Sequence, residues 1–269
     1  MVRSGCGGES RLWGGDSGKL NVPLLCCLTC FSLLRWAPAR SFGEREKVKM
    51  LTKKILRPAW NRSFGRLDGQ YIRELNRIVD SSCASLLDVG CGFNSPVQHL
   101  CHRPACMVGI DGFLPAIDQS RAKRIHDEYH EMSLRDIDRV FGPESFDCIL
   151  ASDVIEHFPE EDALDLISQM EKVARRKIII FTPNGFLPQG EEYGNPFQRH
   201  LSGWTVKQME TMGYRVIGIE GIKSLRGEMA RIRWHPEHFW LMISLLSQAV
   251  VRDHPAHAFR LLCFKEKRL

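Results

Sequence analysis

The sequence of 269 residues lacks the long hydrophobic run that a membrane-spanning helix needs. Its most apolar N-terminal stretch, residues 22–34, is shorter than the roughly 20 apolar residues that cross a bilayer. Lysine and arginine form no dense block and the net charge is only +5, so nucleic acid is not an expected partner. An internal repeat of the solenoid kind is also missing. With 43% hydrophobic and 26% charged residues, the chain has the composition of an ordinary globular protein.

The pattern of a zinc site is incomplete. Cys26, Cys27 and Cys30 supply one CxxC spacing, but no second CxxC or HxxxH follows. Other cysteines stand singly in apolar or turn segments, which is typical of reduced, buried thiols. These are Cys83, Cys91, Cys101, Cys106, Cys148 and Cys263. We therefore assign no metal ligand.

Residues 1–49 differ in composition from the rest of the chain. They have a Gly/Ser-rich start followed by the apolar stretch at 22–34 and an Ala-Pro-Ala sequence. We expect a disordered extension, with the working domain at 50–269 and its core at 65–269, in the cytoplasm. The same features resemble a signal peptide, and a mitochondrial presequence or a weak membrane tether are further alternatives.

From residue 65 onward, segments with strand and helix character alternate. Seven apolar segments predict strands, at 85–89, 106–110, 129–132, 146–151, 177–181, 214–220 and 258–265. Helical spacing is found at 67–79, 96–101, 114–124, 163–173, 205–212 and 237–251. Each strand is expected to be apolar on both faces. The alternation therefore predicts an α/β fold, with a mainly parallel sheet covered by helices on both faces.

A glycine turn and an acidic residue follow the first two predicted strands. Gly90 and Gly92 allow a sharp turn and close approach of a ligand to the backbone. Asp88 is expected to face a ligand's ammonium group, and Asp111 to accept hydrogen bonds from ribose hydroxyls. A Gly-x-Gly turn that binds nothing is the alternative. A third glycine three residues after Gly92 is missing, which disfavours a pyrophosphate ligand.

Four motifs resemble the class I S-adenosylmethionine-dependent methyltransferase family, in its type 11 and ubiquinone-methyltransferase-like branch. They are LLDVGCG at 86–92, GID at 109–111, SFDCILASDVIEHF at 145–158 and KIIIFTPNG at 177–185. The resemblance covers most of the chain after residue 65. It implies a Rossmann-like, seven-stranded, mainly parallel sheet with an antiparallel last strand.

The resemblance also implies S-adenosylmethionine as cofactor. The methionine part is then expected at the loop of Gly90 and Gly92, and the ribose at Asp111 with Gly112 beside it. The adenine is expected after the third strand, at Ser133 and Leu134. The family often has an acidic residue where Ser133 stands, so the adenine contacts depart from the family's pattern.

Candidate groups for chemistry follow the fourth and fifth strands. Ser152, a candidate cofactor-binding residue, and the candidate catalytic pair Glu156 and His157 come directly after the fourth strand and so lie at the ligand edge. His157 is the candidate general base, because imidazole titrates near neutral pH. The alternative is that Glu156 and His157 brace the following helix; related enzymes sometimes hold a divalent cation at a matching pair. The loop at 184–204, long for a simple connection, adds His200 as a second catalytic candidate or is a plain surface loop.

The predicted reaction is methyl transfer, to oxygen, on a small molecule, lipid or glycan intermediate. A protein or nucleic-acid methyltransferase and a catalytically silent cofactor-binding module are the alternatives. The segment at 234–251 is unusually apolar and predicts a substrate lid, a lipid-facing helix or a helix packed on the sheet. Weak membrane association is expected through one of the two apolar segments, 22–34 or 234–251.

Overall fold

The computed structural model describes residues 69–191, 194–227 and 231–267. The described residues all belong to one compact unit that extends from Ala59 to Leu269. Expectations for residues 1–49, including the signal-like segment and the Cys26–Cys30 pair, lie outside the described residues.

Seven strands form one sheet. They are β1 (Ser85–Val89), β2 (Cys106–Asp111), β3 (Glu128–Glu131), β4 (Phe146–Ser152), β5 (Ala174–Pro183), β6 (Arg215–Ile222) and β7 (Ala258–Glu266). The order across the sheet is β3-β2-β1-β4-β5-β7-β6. β7 pairs antiparallel with both β5 and β6, whereas the pairs among β1 to β5 are parallel. The expected Rossmann-like sheet with an antiparallel last strand is confirmed.

Helices connect the strands and cover the sheet. They are α1 (Gln70–Ile78), α2 (Leu114–Ala122), α3 (Ile137–Val140), α4 (Glu160–Val173), α5 (Val206–Thr211) and α6 (Glu237–Val251). Successive residues of β1, Leu86 and Leu87, belong to two different buried clusters. Because side chains alternate across a strand, the two clusters lie on opposite faces, and both faces of the sheet are covered. Among the described helices, none is both long and apolar enough to cross a membrane.

Two predictions for individual segments are wrong. β3 is not apolar on both faces: its sequence is EYHE and its residues are exposed or half-buried. It is the edge strand of the sheet, so only one of its sides has a strand neighbour. The segment after β1 forms a short 3₁₀ turn at Pro96–His99 and not a full helix.

The expectation of reduced, buried thiols is wrong for four of the six cysteines. Cys83 and Cys148 are joined in a disulfide, with Cα atoms 5.8 Å apart. Cys83 lies two residues before β1 and Cys148 lies on the adjacent strand β4, which brings the pair within bonding reach. Cys101 and Cys106 are exposed, while Cys91 and Cys263 are buried free thiols as expected.

Candidate cofactor and acceptor site

A pocket of about 1220 Å³ opens where β1, β2 and β4 end. Since β1 pairs with both β2 and β4, three parallel strands deliver their carboxyl ends to one edge of the sheet. Nine of the eleven predicted site residues line this pocket. They are Asp88, Gly90, Gly92, Asp111, Gly112, Ser133, Leu134, Ser152 and His157. Glu156 and His200 are not among the lining residues.

The glycine turn after β1 needs glycine at its first position. Gly90 and Gly92 have φ values of +67° and +54°, in the left-handed region that disfavours side chains. A Cβ atom on Gly90 would lie 2.6 Å from Cγ2 of Val154. The amide of Cys91, between the two glycines, donates to the carbonyl of Ile110 at 3.0 Å. The turn is thereby tied to β2, and the backbone at Gly90 can border the pocket.

Asp111 links the two loops that border the pocket. One carboxylate oxygen accepts from the amide of Gly92 at 2.9 Å, and the other accepts from the amide of Phe113 at 2.8 Å. Burial raises the pKa of Asp111 above its ordinary value, although the two amides act in the opposite direction. Each carboxylate oxygen has a second lone pair, so the group can still accept a ribose hydroxyl.

Behind the turn, Asp88 is paired with a buried histidine. Asp88 is 1% exposed, and its Oδ2 lies 2.8 Å from Nε2 of His126. A Cβ atom at Gly109, on β2, would lie 2.9 Å from Nδ1 of the same ring, so glycine there makes room for the histidine. Asp88 does line the pocket as expected, but one of its oxygens is already engaged.

The segment after β3 borders the pocket on the side predicted for adenine. The Ser133 hydroxyl accepts from the amide of Arg135 at 3.2 Å, which starts a short 3₁₀ turn. Phe197, from the loop at 184–204, reaches across the same side. Its ring would lie 3.7 Å from a Cβ atom placed on Gly112. The pocket wall here is therefore built from two segments distant in sequence.

At the end of β4, buried contacts hold the backbone in an unusual conformation. The Tyr71 hydroxyl donates to the Ser152 hydroxyl at 3.0 Å, and the Tyr71 ring stacks on Phe181 with centroids 3.9 Å apart. The next residue, Asp153, has φ +54° and accepts twice from Nη1 of Arg260, at 2.7 and 2.9 Å. A left-handed Asp is uncommon, and this ion pair with β7 fixes it.

Comparison with known proteins gives a family match over the strands that border the pocket. Residues 87–181 match the type 11 family model described as a methyltransferase domain. Residues 87–181 therefore form a methyltransferase domain of this family, and the sheet around them has the class I methyltransferase fold. S-adenosylmethionine is its cofactor. No curated protein matches the sequence.

Solved structures are similar to this chain at low sequence identity. An S-adenosylmethionine-dependent methyltransferase from Archaeoglobus fulgidus has a TM-score of 0.50 and 18% identity, covering 78% of this chain and 98% of that chain. A putative methyltransferase from Listeria monocytogenes has a TM-score of 0.47 and 14% identity, covering 76% and 100%. Magnesium protoporphyrin IX methyltransferase from Synechocystis PCC 6803, solved with bound cofactor, has a TM-score of 0.44 and 14% identity, covering 86% and 100%.

His157 is the polar group of the methyltransferase pocket best suited to accept a proton. Its Nδ1 lies 3.2 Å from the carbonyl oxygen of Arg199. A carbonyl can only accept, so this contact places the ring proton on Nδ1 and leaves Nε2 as the acceptor nitrogen. Burial lowers the pKa of His157 below its ordinary value, and the nearby His200 lowers it further. The imidazole is therefore neutral at physiological pH.

Glu156 and His200 lie behind His157 and not in the pocket wall. Glu156 is 1% exposed; its Oε2 accepts from the Thr182 hydroxyl at 3.0 Å, and among the described residues its Oε1 has no hydrogen-bond partner. Burial raises the pKa of Glu156 to about 8, with a further contribution from Asp153. His200 places Nδ1 2.6 Å from the carbonyl of Leu187, and its ring centroid is 4.8 Å from that of His157.

The loop at 184–204 is anchored and is not a plain surface connection. The carbonyl of Glu156 accepts from the amides of Leu201 and Ser202, at 2.8 and 3.1 Å. At its base, the amide of Gly185 donates to the carbonyl of Trp204. His200 is consequently buried at 8% exposure. The loop brings His200 to Glu156, although it leaves that histidine outside the pocket wall.

Glu156, His157 and His200 together could hold a divalent cation, which the sequence analysis did not assign. One ligand atom from each lies within 4.8 Å of the other two. Both histidines direct Nδ1 at a backbone carbonyl, the arrangement that orients metal-binding imidazoles, and the Glu156 Oε1 lacks a described partner. Two imidazoles and one carboxylate suit a transition metal better than Mg²⁺. A cation bound there would supply a Lewis acid beside the pocket.

Four residues at or directly behind the pocket wall were not assigned from the sequence: Tyr71, His126, Asp153 and Arg260. Tyr71 lies in the segment of helical spacing at 67–79 and stacks on Phe181, but nothing in the pattern reveals the bond to Ser152. Arg260 is the third residue of β7. Because β7 runs antiparallel to β5, its first residues lie at the pocket edge of the sheet. A charged residue at that position of a buried strand was the available signal.

Proposed function

We propose that this methyltransferase transfers the methyl group of S-adenosylmethionine to an oxygen atom of a small molecule, lipid or glycan intermediate. The observation that carries the choice of oxygen is the neutral His157, which lines the pocket with Nε2 as its acceptor nitrogen. An acceptor hydroxyl must lose its proton during methylation, and a neutral imidazole can take it. A nitrogen or carbon acceptor would account less directly for a neutral imidazole at this position of the pocket.

The reaction is an in-line displacement at the sulfonium methyl group. Bound S-adenosylmethionine would supply the methyl group: the new C–O bond to the acceptor oxygen would form as the C–S bond breaks, with the bonding electrons going to the sulfur of S-adenosylhomocysteine. The hydroxyl proton passes to Nε2 of His157. Holding both reactants in line supplies much of the acceleration. The turn at Gly90 and Gly92 and the carboxylate of Asp111 are the groups that position the nucleoside.

Apolar side chains at the pocket support an acceptor with an apolar part. Phe93, Phe197 and Leu201 line the pocket and are 41%, 58% and 48% exposed. Exposed aromatic and aliphatic side chains around a pocket bind apolar ligand surface favourably. Among the acceptor classes we propose, a lipid or another amphiphile fits this lining best.

The test is incubation of the full chain with cell extract and S-adenosylmethionine carrying a labelled methyl group, followed by mass spectrometry of each fraction. We expect the label on an oxygen of a small molecule, lipid or glycan. A parallel incubation of the extract without the added protein controls for background methylation. Label confined to protein or nucleic acid would overturn the proposal. Cofactor binding by calorimetry without labelled product in any fraction would identify a silent binding module instead.

A further inference from the structure

Helix α6 has an apolar outer face. Phe239, Leu246 and Val250 are 43%, 58% and 63% exposed. Their spacing of seven and four residues puts them on one stripe, because an α-helix has 3.6 residues per turn. We call these three residues the outer stripe. The inner side is fixed by Gln248, whose amide group bonds to the amide of Gly221 at 3.0 Å and the carbonyl of Gly218 at 2.8 Å, both on β6.

Aromatic residues gather where α6 begins. Trp234 is 54% exposed, and its ring centroid lies 6.3 Å from that of Trp240. Phe239 meets Trp240 edge to face with centroids 5.3 Å apart. Trp234, Phe239 and Trp240 form the aromatic cluster. Tryptophan and phenylalanine with an exposed edge are the side chains that favour the boundary between water and lipid.

Basic residues flank this apolar surface. The sequence at 223–239 has four lysine and arginine residues against two glutamates. Two of them, Arg231 and Arg233, are exposed next to the aromatic cluster. Within the 15 residues of α6, the only lysine, arginine, aspartate or glutamate is Glu237. An apolar helix face with cations at its end matches the surface of an anionic bilayer in both hydrophobicity and charge.

The same segment lies at the pocket edge of the sheet. β6 runs parallel to β5, because both pair antiparallel with β7. The chain after Ile222 therefore emerges at the edge where β1, β2 and β4 border the pocket. There, Nζ of Lys223 donates to the carbonyl of Asn184, at the start of the loop that supplies Phe197 and Leu201 to the pocket.

We propose that the outer stripe, the aromatic cluster and the two exposed arginines form a docking surface for an anionic lipid bilayer. The described helices include none that could cross a membrane, so the docking is peripheral. This inference goes beyond the proposed function, because it concerns the surface that the enzyme occupies and not the atom that it methylates. Of this surface, the aromatic cluster lies at the pocket edge of the sheet, where α6 begins.

The test is co-sedimentation of the full chain with phosphatidylcholine vesicles, with and without phosphatidylglycerol. We expect binding to vesicles that contain phosphatidylglycerol. The Phe239→Ser/Leu246→Ser/Val250→Ser variant should bind about tenfold more weakly or worse, because three apolar side chains no longer enter the lipid. The Arg231→Gln/Arg233→Gln variant should lose about fivefold for each charge, together with the preference for phosphatidylglycerol.

A matched control removes equally exposed apolar residues elsewhere. Val140 and Leu164, on α3 and α4, are 53% and 42% exposed, and the Val140→Ser/Leu164→Ser variant should bind vesicles like the wild type. Calorimetry with S-adenosylmethionine checks that each variant is folded. If the outer-stripe variant fails to fold, the arginine variant and the salt dependence of vesicle binding decide the question.

Four results would overturn the proposal. They are no binding to phosphatidylglycerol vesicles, unchanged binding by the outer-stripe variant, an equal loss in the control, and a lipid-free dimer that the outer-stripe substitutions dissociate. Unchanged binding would assign lipid contact to another segment, such as residues 22–34. The dimer, detected by light scattering, would show that a second copy covers this face.

Discussion

The cofactor side and the acceptor side of the pocket are built in different ways. On the cofactor side, Gly90, Gly92 and Asp111 come from two adjacent strand ends. The Gly92 amide bonds to the Asp111 carboxylate, and the Cys91 amide bonds to the Ile110 carbonyl. On the acceptor side, His157 is held by Arg199 and adjoins His200, more than 40 residues away in sequence. The first side depends on strand register, whereas the second depends on how one long loop is anchored. Substitutions on the two sides should therefore affect different steps of the reaction.

Replacing the proposed base gives the largest expected effect and tests the acceptor side. His157→Asn should lower turnover by about 10²- to 10⁴-fold, because proton transfer loses its acceptor while the side chain can still donate to Arg199. Cofactor affinity, measured by calorimetry, should stay the same. His99→Asn, an exposed residue outside the pocket lining, is the control. Wild-type turnover in His157→Asn would remove this residue from the mechanism.

A chelator separates the two roles that His157 could have. If the imidazole acts as a base, turnover of the wild type should be unchanged by prior treatment with EDTA. Loss of activity on chelation, restored by Mn²⁺ or Zn²⁺, would instead identify Glu156, His157 and His200 as cation ligands. The His200→Asn variant should then need a higher Mn²⁺ or Zn²⁺ concentration for activity, because it lacks one of the three ligands.

Replacing the first glycine of the turn tests the cofactor side. Gly90→Ala should weaken S-adenosylmethionine binding and destabilise the fold together, by about 2 to 4 kcal/mol. The left-handed backbone costs an alanine about 1 to 2 kcal/mol, and the close approach to Val154 adds a similar amount. Chemical denaturation and calorimetry measure the two effects. Gly142→Ala, whose Cβ would have its nearest neighbour at 3.6 Å, should be nearly neutral.

Asp111→Ala should have a smaller effect, confined to the same side. Two backbone amides lose their acceptor and the ribose loses a partner, so cofactor affinity should fall by about 1 to 3 kcal/mol. Turnover at saturating cofactor should change much less. Asp118→Ala removes an exposed carboxylate that pairs with Arg121 and serves as the control. Equal cofactor affinity in both variants would contradict the ribose assignment.

The sequence predicted the cofactor side more completely than the acceptor side for a physical reason. A buried strand followed by Gly-x-Gly predicts a tight turn at the end of that strand, and the acidic residue at the end of the next strand is expected beside this turn. Gly90 and Asp111 could therefore be placed from local pattern alone. The pairing of Asp153 with Arg260 joins residues 107 positions apart, and no local pattern encodes it. The same holds for the bond between Asp88 and His126. Likewise, the disulfide of Cys83 and Cys148 follows from the pairing of β1 with β4, which becomes visible only in the folded sheet.

The effect expected at Glu156 is spread over several pH units and separates a buried carboxyl group from a surface one. Burial raises its pKa from 4.5 to about 8, so the folded protein holds a proton that the unfolded chain releases. Its contribution to stability is therefore fully present below about pH 4.5 and is lost as the pH rises through about 8. The slope over that interval is at most about 1.4 kcal/mol per pH unit. Glu156→Gln keeps an acceptor for Thr182 but cannot titrate, so its stability relative to the wild type should rise with pH. Urea unfolding in the presence of a chelator measures both curves without competition from a cation. Parallel curves would mean that the carboxyl group ionises as freely in the folded protein as in the unfolded chain.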